Sequence, residues 1–204
     1  MISWRVDPLH ENQGVTMNIK SSLIALAVGL AMTAGTAMAS EKSGSYTFAE
    51  AGYAKADIKN SPVDADGAYL KGSYAFSNGV YASGQIDKLN VDRVDVDLDR
   101  YAVAVGMQRD FARINGFAEV GAERSRALGA NADGYRLGVG VKAGLTDKLE
   151  GLAQINYRDG DAYSGDTSGV LGLRYNLAQN WSVAGQSEFA SDGRLYHVGV
   201  RYGF

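Results

Sequence analysis

The chain has 204 residues with a formal net charge of −3, no cysteine, 26 glycines, 12 tyrosines and only two prolines. This length suits a single domain; the lack of cysteine excludes disulfides and thiolate chemistry, and the charge gives no electrostatic basis for binding nucleic acid. Abundant Gly and Tyr with almost no Pro is typical of many paired strands joined by tight turns.

The first sixteen residues are polar and lack hydrophobic periodicity. A segment with a recognisable pattern of charged, apolar and small residues begins at Met17. We therefore interpret residues 1–16 as a spurious upstream extension and Met17 as the true start of the protein.

Residues 17–39 have the three parts of a secretory signal peptide. Lys20 supplies the positive charge, residues 23–32 are apolar, and residues 37–39 (Ala-Met-Ala) form a cleavage site of small residues. A transmembrane helix is the competing interpretation, but it needs roughly 20 apolar residues, and this run is shorter and rich in Ala, Gly and Thr. The mature, exported chain is therefore predicted to be residues 40–204.

Beyond residue 40 the chain repeats itself at intervals of roughly 33 residues, except for a shorter last interval. The repeats begin at Asp66, Asp99, Asp133, Asp166 and Asp192. Helical repeats can have similar lengths, but here apolar residues alternate with a period of two, which is the pattern of a strand. Each repeat is therefore predicted to be one long hairpin.

This alternation predicts ten antiparallel strands. In chain order they cover, approximately, residues 45–57, 68–76, 80–87, 100–107, 114–123, 135–142, 149–158, 171–175, 181–189 and 196–204. Strands near ten residues match the ~9–11 that cross a bilayer at a tilt, and an even number puts both termini on one side. Eight strands are the alternative, if the first strand and one other hairpin arm fail to pair.

The connections alternate in length, as outer-membrane barrels require. Short turns are predicted at residues 77–79, 109–113, 145–148 and 177–180. Longer, Asp-rich outer loops are predicted at residues 58–66, 88–98, 125–133 and 159–166.

The last strand places Tyr196, Val198, Val200, Tyr202 and Phe204 on one face and polar residues or Gly on the other. Such an aromatic end is typical of outer-membrane barrels, whose final strand closes the barrel and is read by the assembly machinery. Phe204 is therefore predicted to contact that machinery.

Periodicity alone does not say whether the apolar face meets lipid or fills the core of a secreted, lipocalin-like barrel. Three features favour lipid: the signal peptide, the aromatic row ending at Phe204, and a polar face crowded with glycines, as a narrow lumen requires. The glycines are Gly121, Gly138, Gly140, Gly172, Gly199 and Gly203. Aromatic residues near strand ends also fit an interfacial girdle: Tyr101, Tyr135, Tyr157, Tyr175, Trp181, Phe189 and Tyr202.

Three stretches resemble a family of small xanthomonad-type outer-membrane proteins: Asp-Gly-Ala-Tyr-Leu-Lys-Gly-Ser-Tyr-Ala-Phe at residues 66–76, Leu-Glu-Gly at 149–151, and the ending at 198–204. That family, regulated by the diffusible signal factor, was once proposed to be a secreted quorum signal and plant-immunity elicitor. The resemblance implies an outer-membrane barrel over most of residues 45–204. It carries over no catalytic residues.

The predicted lumen contains acids and bases in nearly equal numbers. The acids are Glu50, Asp87, Glu119, Glu123, Glu150 and Glu188; the bases are Lys71, Arg100, Arg136, Lys142, Arg158, Arg174 and Arg201. Because an unpaired buried charge costs several kcal/mol, we expect these groups to pair and close the interior. The alternative is a narrow polar conduit with little ion selectivity.

Two further candidates for chemistry are weak. His197 is predicted to lie on the lumen face, with Ser182 and Glu188 as its only expected polar neighbours. Because the sequence also contains no nucleophile elbow, catalysis is not predicted. Asp95, Asp97 and Asp99 resemble the start of a calcium loop but lack its later Gly and Glu. We interpret them as acids on an extended strand above the membrane; the sharper hypothesis is that they share divalent cations with lipopolysaccharide.

The sequence thus predicts an all-β, transmembrane, antiparallel up-and-down barrel of the Gram-negative outer membrane. Its predicted role is structural or surface-interacting, in envelope integrity, adhesion or biofilm behaviour; the alternative is a passive narrow pore for small solutes or ions. No enzymatic activity, cofactor, metal or catalytic residue is assigned. The predicted partners are outer-membrane lipid, lipopolysaccharide and, through Phe204, the barrel-assembly machinery.

Overall fold

The computed structural model describes residues 46–59, 64–91, 96–112, 114–127, 130–161 and 163–204. The predictions for residues 1–16 and 17–39 lie outside these residues. The described residues form ten strands: β1 (Phe48–Ile58), β2 (Asp64–Ala75), β3 (Val80–Val91), β4 (Val96–Phe111), β5 (Ile114–Ala127), β6 (Ala130–Gly144), β7 (Leu149–Gly160), β8 (Tyr163–Asn176), β9 (Trp181–Phe189) and β10 (Gly193–Gly203).

Each strand pairs antiparallel with its neighbours in the chain, and β1 also pairs with β10, which closes the sheet into a barrel. In that closing pair Phe48 lies opposite Gly203 and Ile58 opposite Gly193, so the contact runs along all of β1. The prediction of a ten-stranded up-and-down barrel is confirmed, and the eight-stranded alternative is wrong because the first strand pairs on both sides.

Several strands are longer than the pattern predicted, with lengths from 9 residues in β9 to 16 in β4. β4 starts at Val96 rather than Arg100, and β8 starts at Tyr163, well before residue 171. Much of each predicted outer loop is therefore strand. Near the β3–β4 loop the pattern reverses while the backbone pairing continues: Leu89 and Leu98 pack inside in an apolar cluster, and Lys88 and Asp97 are exposed. The predicted turn at residues 109–113 is likewise shorter, because β4 runs to Phe111.

The short turns lie together with the start of β1 and the end of β10 at one end of the barrel, which we call the turn end; the opposite end is the loop end. Between β2 and β3, Asn78 and Gly79 have positive φ values of 65° and 77°. Asn and Gly are the residues that adopt this left-handed conformation most readily, so the Ser77–Gly79 turn follows directly from the sequence. Backbone hydrogen bonds from Leu145 N to Leu149 O (2.8 Å) and from Leu177 N to Trp181 O (2.9 Å) close two other turns.

No helix in the described part of the chain is long and apolar enough to span a membrane.

The outward face of the barrel is apolar. Val103, Leu171 and Val198 are each more than half exposed. Exposed aromatic residues border this apolar band at both ends: Tyr53, Tyr135 and Phe189 towards the loops, and Tyr74, Phe76, Tyr175, Trp181 and Phe204 towards the turns. A water-soluble barrel has the opposite arrangement, with apolar residues inside, so the lipocalin-like alternative does not fit this exterior.

Candidate functional site

The barrel interior holds the charged side chains, as alternation along the strands predicted. All six acids and seven bases assigned to the lumen are buried or half-buried there. They fall into two groups by position along the barrel. The central tier contains Asp87, Arg100, Glu119, Glu123, Arg136, Arg158 and Glu188. The turn-end tier, within a few residues of the turns and termini, contains Glu50, Lys71, Lys142, Glu150, Arg174 and Arg201.

Two buried glutamates hold the central tier together across the lumen. Glu123, on β5, lies 3.1 Å from an Arg136 nitrogen and 3.4 Å from Arg158 Nε. Glu188, on β9, forms an ion pair with Arg158 and lies 3.5 Å from Arg100 Nη1. The Arg100–Glu188 pair joins β4 to β9 on the opposite side of the barrel, and the other pairs join strands that are adjacent or two apart.

The remaining two acids of the central tier are also fully engaged. Glu119 accepts hydrogen bonds from Arg136 (3.1 Å), Tyr81 Oη (2.9 Å) and Gln154 Nε2 (3.0 Å). Asp87, which is 1% exposed, accepts from Gln85 Nε2 at 3.0 Å. A carboxylate buried this deeply is tolerated only when charged or polar partners replace its water shell.

The turn-end tier is organised around two acids. Glu50 accepts from Arg201 Nε at 2.5 Å and from Tyr69 Oη at 2.8 Å. Glu150 accepts from Arg174 Nη2 at 2.8 Å. Each acid is thus already engaged by an arginine.

An aromatic cluster covers the lumen at the turn end. The ring of Tyr46, just before β1, lies 4.5 Å from the ring of Tyr81 and 6.3 Å from that of Phe117. Tyr46 Oη donates a 2.7 Å hydrogen bond to Asn115 Oδ1, and Lys142 Nζ lies 3.3 Å above the Tyr46 ring. Tyr46 falls within the predicted first strand, residues 45–57, but it was not assigned to the lumen because the alternation is least clear in that strand.

Inward-facing glycines make room for these side chains. A β-carbon at Gly199 would overlap Tyr69 Oη and lie 2.6 Å from the carbonyl oxygen of Ala51. At Gly140 it would lie 2.5 Å from Phe117 Cζ. The prediction that a glycine-rich polar face lines a narrow lumen is therefore confirmed, and Gly138-x-Gly140 belongs to strand β6 rather than to a nucleotide-binding turn.

The described residues border two cavities inside the barrel. One cavity of about 90 Å³ is bordered by residues of both tiers and by the aromatic cluster. A second, of about 40 Å³, lies within the turn-end tier. Such volumes hold a few water molecules or a small ion.

The surroundings of His197 differ from the prediction. His197 Nε2 lies 2.8 Å from Asp87 Oδ1 and 3.2 Å from Gln85 Nε2. Both partners come from β3, across the barrel, and no sequence signal links β3 to β10. The expected neighbours lie elsewhere in the register: Ser182 is opposite Arg201 and Glu188 is opposite Leu195. In the described part of the chain, no group of His, Cys, Asp and Glu is arranged to hold a metal ion.

Charged residues face outward above the loop-end aromatic residues. Arg124 Nε lies 2.6 Å from Asp133 Oδ1, and this hydrogen-bonded guanidinium holds the pKa of the Asp133 carboxyl below its ordinary value. Lys55 Nζ lies 2.8 Å from Asp64. Asp97 and Asp99 belong to strand β4, which confirms the extended-strand interpretation for them, and Asp95 lies outside the described residues.

The fold resembles that of known outer-membrane barrels. The NanC porin superposes with a TM-score of 0.51 at 13% identity, covering 78% of this chain and all of that one. The KdgM porin (TM-score 0.45, 16% identity, 76% of this chain and 99% of that one) and the outer membrane protein OprG from Pseudomonas aeruginosa (0.42, 10%, 77% and 94%) are also similar. No protein-family model and no curated protein matches the sequence. With its apolar exterior, the chain is an outer-membrane β-barrel.

Proposed function

We propose that this barrel is closed to solute flow and that its role is structural or surface-interacting, in envelope integrity, adhesion or biofilm behaviour. The observation that carries this proposal is the central tier. Its Arg100–Glu188 ion pair joins β4 to β9 across the barrel, and Glu123 links Arg136 and Arg158 beside it, so a solute crossing the lumen would have to break these contacts. Breaking a buried pair costs about 3–5 kcal/mol, which is a substantial barrier to passage.

We also propose that the protein is not an enzyme. A hydrolase needs a nucleophile, a base within hydrogen-bonding reach and an orienting group. His197 is instead held between Asp87 and Gln85, with the ring of Tyr69 edge-on at 4.7 Å. Glu188 and Ser168 are bonded to each other at 2.8 Å within the ion-pair network. This geometry supports a structural use of the polar groups.

The exterior supports the proposed partners. The apolar band would contact membrane lipid, and the charged residues above it lie at the level where lipopolysaccharide phosphates and their cations are found.

At the turn end, the rings of Trp181 and Tyr202 lie 4.9 Å apart, and Phe204 packs 5.1 Å from Tyr202. We propose this exposed aromatic row as the surface that the barrel-assembly machinery contacts. Membership of the xanthomonad-type family is likewise a proposal, supported by the three sequence motifs.

Single-channel recording tests the closed state. Protein purified from outer membranes and shown to be folded by heat-modifiable gel mobility is inserted into a planar bilayer. The wild type is expected to give no current steps. The double variant Arg158→Ala with Glu188→Ala removes the Arg158–Glu188 pair and also the Arg100–Glu188 pair across the lumen, and it is expected to conduct. Lys88→Ala, on the outward face, serves as the matched control and should stay silent.

A passive narrow pore is the second candidate function, and the two internal cavities favour it because they show that the interior is not completely filled. Reproducible current steps from the wild type would replace the closed barrel with this pore. The proposed role would then be solute passage through the lumen rather than an interaction through the outer loops.

A further inference from the structure

The two tiers of the lumen differ in charge balance. Among the described residues of the central tier, four acids face three arginines. The turn-end tier has the opposite excess, with two acids, Glu50 and Glu150, against four bases. Asp110, which accepts a 2.7 Å hydrogen bond from the buried Asn115 Nδ2, adds a third acid near the turns, so the described turn end of the lumen carries three acids against four bases and keeps a net positive charge.

Lys71 is the first base without a carboxylate partner. Its register partner on β1 is Glu50, but that carboxylate accepts from Arg201 and Tyr69. In the described part of the chain, the Lys71 ammonium makes only a long 3.5 Å contact with Gln186 Oε1 and has no carboxylate within 4.0 Å. A half-buried ammonium in this position lacks the compensation that buried charges ordinarily have.

Lys142 is the second such base. Glu150, the acid of its tier nearest in the fold, is bonded to Arg174. The described residues offer Lys142 no carboxylate within 4.0 Å; its ammonium lies over the ring of Tyr46 at 3.3 Å. An aromatic face stabilises a cation but does not neutralise its charge.

Both lysines border the same space. Lys71, Lys142 and Arg201 line the cavity of about 90 Å³, together with Arg100 and Arg136 from the central tier. Only two acids line it, Glu119 and Glu188, and both are engaged by arginines. Lys142 and Arg201 also line the 40 Å³ cavity, where the buried Nε of Arg174 has no hydrogen-bond acceptor in the described structure.

We propose that the turn-end tier is a binding site for a small oxyanion, of the size of a carboxylate or a phosphate, held chiefly by Lys71 and Lys142. An anion in the cavity would offset the excess positive charge and would provide acceptors for donors that the protein leaves without a carboxylate. The cavity volume restricts the ligand to a small ion, because an oligosaccharide or a peptide would not fit. The site goes beyond the proposed function, since binding near one end of the lumen requires no passage through the central tier.

Isothermal titration calorimetry tests this site directly. The full-length protein, purified from outer membranes in a non-ionic detergent, is titrated with inorganic phosphate in one arm and with acetate in another. Ionic strength is held constant with a bulky sulfonate salt whose anion is too large for the cavity. Saturable binding of about one anion per barrel is expected in at least one arm. Binding of both anions defines a general oxyanion site; binding of phosphate alone or acetate alone assigns its class.

Variants separate the site from non-specific attraction. Lys71→Met and Lys142→Met should each weaken binding by about tenfold or more, because each removes a charge-assisted contact. Lys142→Arg should retain most of the affinity, since it keeps the charge. Lys88→Met is the matched control, because Lys88 is exposed on the outward face, and it should bind like the wild type.

Two results would overturn the proposal. One is the absence of saturable binding of either anion to folded wild-type protein. The other is binding that Lys71→Met and Lys142→Met leave unchanged, which would place the anion elsewhere on the barrel. Neither result depends on whether the barrel conducts, so failure of the anion site and failure of the closed state are distinguishable.

Discussion

The central tier and the turn-end tier are built from the same residue types in opposite proportions. In the central tier acids predominate, and each acid has an arginine or a hydrogen-bond donor in contact. In the turn-end tier bases predominate, and Lys71 and Lys142 are left beside acids that are already engaged. The comparison shows that an even overall count of charges does not imply local balance. One tier engages its charges in its own ion pairs, and the other contains two lysines without a carboxylate contact among the described residues.

The largest effect is expected from Arg158→Met in the central tier. The change leaves Glu123 and Glu188 buried without one of their cations, and breaking a buried pair costs about 3–5 kcal/mol. Urea unfolding in detergent measures the loss of unfolding free energy. Arg126→Met, which removes an exposed arginine, is the control and should have little effect. Adding Glu188→Met to Arg158→Met should restore part of the lost stability; no restoration would contradict the idea that the pair acts as a unit.

A smaller loss is expected from Gly199→Ala, which tests the packing on which the turn-end tier depends. The added methyl group would displace the Tyr69 hydroxyl from its hydrogen bond with Glu50 and press against Ala51 O. Overpacking of this kind typically costs about 1–3 kcal/mol. The same unfolding assay applies, with Gly185→Ala as control because a β-carbon there has nothing within 4 Å. Equal stability of the two variants would show that Tyr69 can relax without cost.

Lys71→Met distinguishes the two tiers most directly, because it should leave the free energy of unfolding unchanged or raise it. Lys71 has no carboxylate contact to lose, and its charge repels the neighbouring Arg201. Arg201→Met is the matched variant in the same tier: it leaves Glu50 without its ion-pair partner and should destabilise the barrel. If both variants lost similar stability in low-anion buffer, the turn-end tier would be balanced like the central one.

The smallest effect is expected outside the lumen, from Asp133→Asn. The pKa of Asp133 is held down by hydrogen bonding to Arg124, so its contribution to stability is present above the unfolded-state pKa and is lost as the pH falls through the folded-state pKa. Because the pair is exposed, water and salt screen it. Thermal melts should differ slightly at neutral pH and converge below about pH 4. A difference that persists at lower pH would assign the effect to another contact.

Much of the fold could be predicted from the sequence. Alternation along the strands placed residues such as Val103 outside and Arg100 inside, and it assigned all thirteen lumen charges to the correct face. This works because the side-chain period of a strand is two, so one apolar residue determines the direction of its neighbours. The outer strand ends were missed because the pattern reverses there: Asp97 is exposed, and Leu98 packs inside against the apolar cluster that contains Leu89.

The contacts inside the lumen could not be predicted in the same way. His197 was expected beside Ser182 and Glu188, yet it contacts Asp87 and Gln85 from β3. The sequence did not indicate that Tyr46 faces the lumen, yet its ring packs against that of Tyr81 at the turn end. Alternation says that a side chain points inward, but it carries no information about which side chains from distant strands meet there.

The sequence by itself thus determined the strand count, the inward direction of the lumen charges and the membrane-facing exterior, because these depend on local periodicity and on the chemistry of single residues. Only the tertiary structure decided which acids pair with which arginines and that Lys71 and Lys142 are left without a carboxylate. Those outcomes depend on closure of the barrel and on the stagger of its strands, which bring together residues as distant in the chain as Glu50 and Arg201.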